Sequence, residues 1–390
     1  MNNFLYFKFR KIKILNVSYK SILEWIFVIF LFFTGQPFYT WNNLLYKYSI
    51  VVCSAIFIFN FAPNKKNGIC ISILFYLYLI VSLKNTNMNF GLALAFWSLF
   101  IASPIFLKNT FRKYLILFSI MLIPSIVIYI LVYFIRIKIP NIIISIPARD
   151  YSYNAFPFLI HPNVVNVLRF CAYYSEPGQL GTACSILFIA NGFTIKRKAN
   201  IPILIAGLLS LSFAFYLLMF IYIVLFLKVK YKIVILLIIS ILFLYVFNEN
   251  EFVKNYTFRR LEIKNGKLIG DNRTNQFFDY GYNRYKKTNN YFWGIDSKTA
   301  DYYIFRDGSS SYKNIILRYG FIFFCIYCFM VSFIAFSYLG FQKTLIAFLL
   351  ILFGTMYQRP FVEYINYLYL IYCSIFYMSD RVKYYTGYIS

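Results

Sequence analysis

The chain reads as an all-α polytopic membrane protein with about twelve transmembrane helices and two long periplasmic loops, and three observations carry that reading. Of 390 residues, 61% are hydrophobic and only 13% charged, beyond the roughly 45–50% apolar content of a soluble domain; mean hydropathy is +0.64. The apolar residues form long continuous runs, whereas barrel strands would alternate over ~10 residues. Helices are then the elements that satisfy their own backbone in lipid. Basic residues, finally, concentrate in alternate connectors between the runs.

In chain order, Lys8, Arg10, Lys11, Lys13 and Lys20 precede an apolar run from Ile22 to Phe33 that lacks a small-residue cleavage site. It reads as a retained signal anchor, with Glu24 near the inner interface beside Trp25. Further runs lie near 48–62, 69–83, 90–107 and 114–134. Connectors after the second and fourth runs carry Lys65-Lys66 and Lys108, Arg112 and Lys113, while those after the first and third carry only Lys47 and Lys84. That asymmetry puts the amino terminus in the cytoplasm. The fifth span exits into a polar loop at 135–178, and a sixth, about 179–193, returns to Lys196-Arg197-Lys198.

No charge then occurs from Asn200 to Leu227, and the next connector, with Lys228, Lys230 and Lys232, is basic again. Two basic connectors on one side call for the run between them to cross twice or to form a re-entrant hairpin, turning near Ser210 and Ser212, the alternative being one long tilted span. A ninth span, about 232–247, therefore delivers the second long loop, 248–313, to the same side as the first. Spans near 319–338, 344–356 and 364–378 follow, and the tail with Arg381 and Lys383 is cytoplasmic. The organisation expected is spans in 1–134, a loop at 135–178, spans in 179–247, a loop over 248–318 with its helix approach, and spans plus tail in 319–390.

The formal charge of +26 is scattered through short loops rather than gathered on a stripe, so no nucleic-acid partner is expected. Seven cysteines, an odd number falling mostly inside apolar runs, imply no disulfide framework. Cys325-x-x-Cys328 sits in an apolar span and reads as helix packing. The lone histidine, His161, cannot build a multi-histidine metal site, and neither a Gly-rich phosphate loop nor a Ser-His-Asp set occurs. No cofactor and no metal are expected.

The sharpest chemistry lies in Arg169 to Gly181, RFCAYYSEPGQLG, where a polar loop enters an apolar run through Pro177 and Gly178. A guanidinium fork matches phosphate geometry and keeps its charge near lipid, so Arg169 is a candidate to hold a diphosphate. Glu176 is a candidate to orient or deprotonate a sugar hydroxyl. The alternatives are that the two pair with each other at a span boundary, or that Glu176 stabilises a helix start. In the second loop Arg273, Arg284, Arg306, Lys313 and Arg318 are the cations placed to bind a diphosphate or glycan, each alternatively a solvated loop charge. Tyr280, Tyr282, Tyr285, Tyr291, Phe292 and Trp293 suit the CH faces of sugars or, equally, an interfacial aromatic belt.

These features together resemble bacterial O-antigen and capsular repeat-unit polymerases, the Wzy family: the span layout, two same-side loops, and Arg169…Ser175-Glu176-Pro177-Gly178 entering a helix. A second likeness is Gly308 to Gly320, GSSSYKNIILRYG, leading into a span. Related O-antigen ligases carry a His-Asn pair where this chain has Ser309 and Ser310, and the Arg-x10-Gly pattern of some polymerases is not met. The resemblance implies a metal-independent glycosyltransferase in the bacterial inner (cytoplasmic) membrane. It would join undecaprenyl-diphosphate-linked donor and acceptor glycans at the outer face of that membrane, in O-antigen (lipopolysaccharide) or capsule biosynthesis. It also implies a chain-length regulator and a flippase as partners. A lipid-linked oligosaccharide flippase and an O-antigen ligase are the competing readings.

Overall fold

Ser103 and Pro104 show how a helix begins inside apolar sequence. Ser103 is extended and its Oγ accepts the Phe106 amide at 3.1 Å, while Pro104 takes the first helical position, where no amide partner is needed. The computed structural model describes residues 18–34, 67–84, 98–145, 152–163, 169–226, 263–264, 267–268, 274, 276–307, 311–358, 362 and 364–386. The expected spans near 48–62 and 232–247 lie outside the described residues.

The fold is mostly helical. Among the described residues the helices before the first loop are α1 (Tyr19–Thr34), α2 (Gly68–Lys84) and α3 (Pro104–Tyr129), the last continuing as a π-helical turn through Phe134. The loop itself contains a small antiparallel sheet of β1 (Ile142–Ser145), β2 (Ser152–Phe156) and β3 (Leu159–Pro162), a minor addition to a fold that is helical as expected. Ile142 to Ile144 offer the β-branched run such a strand needs, and the pairing partners supply its hydrogen bonds. Then come α4 (Pro177–Ala190), α5 (Asn200–Leu209) and α6 (Phe213–Phe226).

The second loop carries the two-stranded pair β4 (Ile263–Lys264) and β5 (Lys267–Leu268), then α7 (Gln276–Tyr285), α8 (Asn290–Trp293), α9 (Ser297–Asp307) and α10 (Lys313–Tyr319). The chain continues with α11 (Phe321–Leu339), α12 (Lys343–Gln358) and α13 (Ile365–Thr386). Among the described residues two helices are long and apolar enough to cross a membrane, Pro104–Phe134 and Phe321–Leu339. Five further apolar helices are 10–17 residues long.

The expected connector at 108–113 is not a connector, because α3 runs straight through it. Its cations are accommodated by partners on other helices. Lys113 Nζ lies 2.8 Å from Glu24 Oε2 on α1 and 2.8 Å from the Ser21 carbonyl, and Lys108 pairs with Asp380 of α13 at 3.1 Å. Asn109 donates to the other Glu24 oxygen at 3.1 Å. A charge so paired is tolerated in a helix that a hydropathy plot would break there.

Helix ends match up across the molecule. At one end Asn67 meets Ser337, Tyr377 meets Asn191, and the Tyr338 and Phe376 rings touch, level with the Lys108 and Lys113 ion pairs. At the other, Tyr367 donates to the Gln179 carbonyl at 3.1 Å, Tyr78 to that of Val362 at 2.9 Å, and Lys84 to that of Trp293 at 2.7 Å. The first-loop sheet and the second-loop helices thus occupy the same end of the helix assembly.

Candidate functional site

The stretch after Arg169 is built around α4, whose fourteen residues are all buried. Glu176 is its extended N-cap and Pro177 its first residue, so the carboxylate stands where a helix start favours negative charge. Ser175 Oγ donates to Gln179 Oε1 at 3.2 Å, closing the first turn. Helices α5, α6, α12 and α13 surround α4.

Helices α5 and α6 form a hairpin, one of the arrangements expected of this run, with the turn at Ser210 and Leu211. At 1.5 Å per residue they are about 15 and 21 Å long, each short of a hydrocarbon layer of about 30 Å. Its tip is held by the Arg169 stretch. The Phe170 amide donates to the Leu209 carbonyl at 3.0 Å, Arg169 Nε to that of Ser210 at 3.2 Å and Nη2 to that of Leu211 at 3.2 Å. A helix leaves its last carbonyls without internal partners, and a cation there also opposes the helix dipole. Leu211 has φ 46°, a left-handed conformation disfavoured for a side chain with Cβ. From the other side, Gly181 packs so closely on the tip that a Cβ there would overlap the Ser212 side chain and lie 3.1 Å from Ser210 Oγ.

The first-loop sheet docks on the same stretch. The Ile160 amide donates to the Ala172 carbonyl at 2.6 Å, Tyr153 to that of Ser175 at 3.1 Å, and Ser125 of α3 to that of Phe158. His161 is thereby sealed in, 2% exposed. Its ring centre lies 4.2 Å from that of Tyr133 and 6.0 Å from that of Tyr129. Nδ1 is 3.0 Å from the Pro162 carbonyl, and Nε2 is buried without a hydrogen-bond partner. Burial depresses the imidazole to about 4, against the opposing pull of the Pro162 and Arg169 backbones. Burial also pushes the neighbouring Cys171 thiol up to about 12, with the Arg169 charge acting the other way. Sequence reasoning used His161 only to exclude a metal site. Its place eight residues before Arg169 was visible, but the cage around it was not.

The second-loop cations take a different course. Helices α7, α9 and α10 enclose a small core of Phe278, Tyr282, Ala300, Ile304, Ile316 and Leu317. On α10, Lys313 pairs with Asp279 of α7 at 2.6 Å and Arg318 with Asp301 of α9 at 2.5 Å. Those two cations therefore brace the loop helices. Arg284 is exposed, its guanidinium 5.3 Å from the Tyr280 ring centre. Arg273 and the side chain of Arg306 lie outside the described residues. The aromatics divide likewise. Tyr282, Tyr285 and Tyr291 pack on one another, whereas Tyr280, Phe292 and Trp293 are exposed.

Two glycines lock this loop to α11. Gly294 and Gly320 have φ 80° and 92°, and a Cβ on either would strike the other strand's backbone at Arg318 or Phe292. The structure thus brings Arg169 to the hairpin tip, leaves Glu176 at the start of α4, and brings Lys313 and Arg318 to the carboxylates of α7 and α9. Among the described residues no three His, Cys, Asp or Glu side chains gather as a metal-binding group. No family model matches the chain, and neither a curated protein nor a solved structure does.

Proposed function

We propose that this chain is a multi-pass glycosyltransferase of the repeat-unit polymerase type, acting at the outer face of a bacterial cytoplasmic membrane. The observation that carries the reading is a carboxylate, Glu176, at the start of a fully buried helix, and a cation, Arg169, on the tip of the short helical hairpin packed against that helix. Both long loops at one end of the assembly add support, because a lipid-linked donor and acceptor must meet on one side. In this reading the chain has about twelve membrane helices with both termini in the cytoplasm, the two hairpin helices being counted among them as a re-entrant pair.

The reaction breaks the bond between the growing glycan's anomeric carbon and undecaprenyl diphosphate, and forms one from that carbon to a hydroxyl of the incoming unit's terminal sugar. Glu176 orients that hydroxyl or takes its proton. Cationic side chains, Arg169 foremost, stabilise the departing diphosphate without a metal. The exposed Arg284 adds to the positive surroundings, while Lys313 and Arg318 act through loop structure.

The test is Arg169→Ala and Glu176→Ala, with surface glycan resolved on gels and the amount of membrane protein measured. A single capped repeat unit at normal protein level is expected, and it separates a polymerase from a flippase, whose failure leaves no surface repeat. A full long-chain ladder from both variants would overturn the assignment.

A further inference from the structure

Three consecutive carbonyls at the end of α5, those of Leu209, Ser210 and Leu211, are taken up by two consecutive residues, Phe170 and Arg169. One turn into α4, Gly181 presents bare backbone to Ser212 and Ser210 on the other side of the same tip. The two ends of the Arg169 to Gly181 stretch therefore grip one three-residue turn, and that turn contains a non-glycine residue at φ 46°. A left-handed leucine is a disfavoured backbone state, so it persists where its surroundings hold it. Within the hairpin, Gly207 allows equally close approach of Phe215, and Ser210 Oγ donates to the Gly207 carbonyl at 2.6 Å. The hairpin is closed near its turn by these contacts, and its tip is also held from outside.

We infer that Arg169, beside the part its charge plays in the proposed reaction, and Gly181 act as positioning residues which fix the Ser210–Ser212 tip of the α5–α6 hairpin, and that this fixed tip sets the geometry of the candidate site at the start of α4. The chemistry separates this role from that of a phosphate ligand. A guanidinium spans two carbonyls with two differently directed N–H groups, whereas an ammonium is a point charge and cannot reproduce the fork. Lysine at 169 keeps the charge a phosphate needs and loses the clamp. Gly181 carries no charge at all, so its requirement is purely that of space. Ser212→Gly removes the atoms a Cβ at 181 would strike.

The activity arm of the test rests on the polymerase reading, and the accessibility arm does not. The full-length chain, carrying an added Leu211→Cys, is expressed in its own host and labelled in membranes with a membrane-impermeant maleimide. The backgrounds compared are wild type, Arg169→Lys, Gly181→Ala and Gly181→Ala with Ser212→Gly. Surface glycan length and membrane protein level are measured for the same four chains without the cysteine, together with a strain lacking the gene. The labelling rate at position 211 is expected to rise about tenfold in Arg169→Lys and Gly181→Ala, the signature of local opening made easier by one decade. Long-chain glycan is lost in both. Ser212→Gly returns both readouts of Gly181→Ala toward wild type, which separates tip position from misfolding. Unchanged labelling in Arg169→Lys and Gly181→Ala overturns the clamp. Faster labelling with full-length glycan overturns the positioning role. Glycan that persists when the gene is absent overturns the polymerase reading alone and leaves the labelling result to judge the clamp.

Discussion

Replacing His161 by phenylalanine is expected to remove an acid-sensitive component of stability. In the fold the imidazole sits 2% exposed between Tyr133 and Tyr129, with burial depressing it from 6.5 to about 4. The charged and titratable groups around it are those two tyrosines, Cys171 and the Arg169 segment. The folded state thus holds fewer protons than the unfolded chain between pH 6.5 and about 4. Stability due to His161 is fully present above 6.5, falls as pH drops through that window, and stops falling below about 4, where both states are protonated. At about 1.4 kcal/mol per pH unit across that window, and with the folded imidazole half protonated at pH 4, the loss down to pH 4 comes to about 3 kcal/mol. The assay is denaturation of the intact chain in lipid nanodiscs from pH 7.5 to 4, wild type against His161→Phe. The wild type should lose about 3 kcal/mol more than the variant across that range, with retained glycan assembly showing that the variant folds. Parallel stability curves, or a difference that develops only above pH 6.5, would refute the buried neutral imidazole.

Two further outcomes follow from packing. Gly320→Ala should weaken the docking of the second loop on α11 by at least about 2 kcal/mol, because a Cβ at φ 92° meets the Phe292 backbone. Limited proteolysis of membranes should then release fragments cut within 276–307, and wild-type resistance would count against the glycine lock. Lys113→Met should destabilise by about 3–5 kcal/mol, since it strands the buried Glu24 carboxylate without its cation. Adding Glu24→Gln should recover most of that loss in the same denaturation assay, and no recovery would show that the ammonium matters for something other than this pair.

Much of the helical layout was legible because hydropathy is a local property. Runs read at 319–338, 344–356 and 364–378 became Phe321–Leu339, Lys343–Gln358 and Ile365–Thr386, and 179–193 became Pro177–Ala190. The hairpin could be placed for a different reason. Two basic connectors called for an even number of passes, and Ser210 and Ser212 were the polar residues available for a turn. Reading failed where partners are remote in sequence. Lys113 looked like a loop residue because its carboxylate lies 89 positions away, and the small sheet in the first loop became a structure only once its strands paired.

The candidate site divides along the same line. Residue types and spacing alone determined that Arg169 and Glu176 precede an apolar run, that the chain is rich in membrane-length apolar runs, and that the charge-free run at 200–227 lies between two basic connectors. Those are matters of composition and order. Only the tertiary structure decided that Arg169 grips carbonyls 41 and 42 residues ahead, that Gly181 is a glycine because Ser212 is against it, and that Lys313 and Arg318 are tied to Asp279 and Asp301. A cation's partner is set by what folding brings within about 3 Å of it, and one chain offers many acceptors at that range.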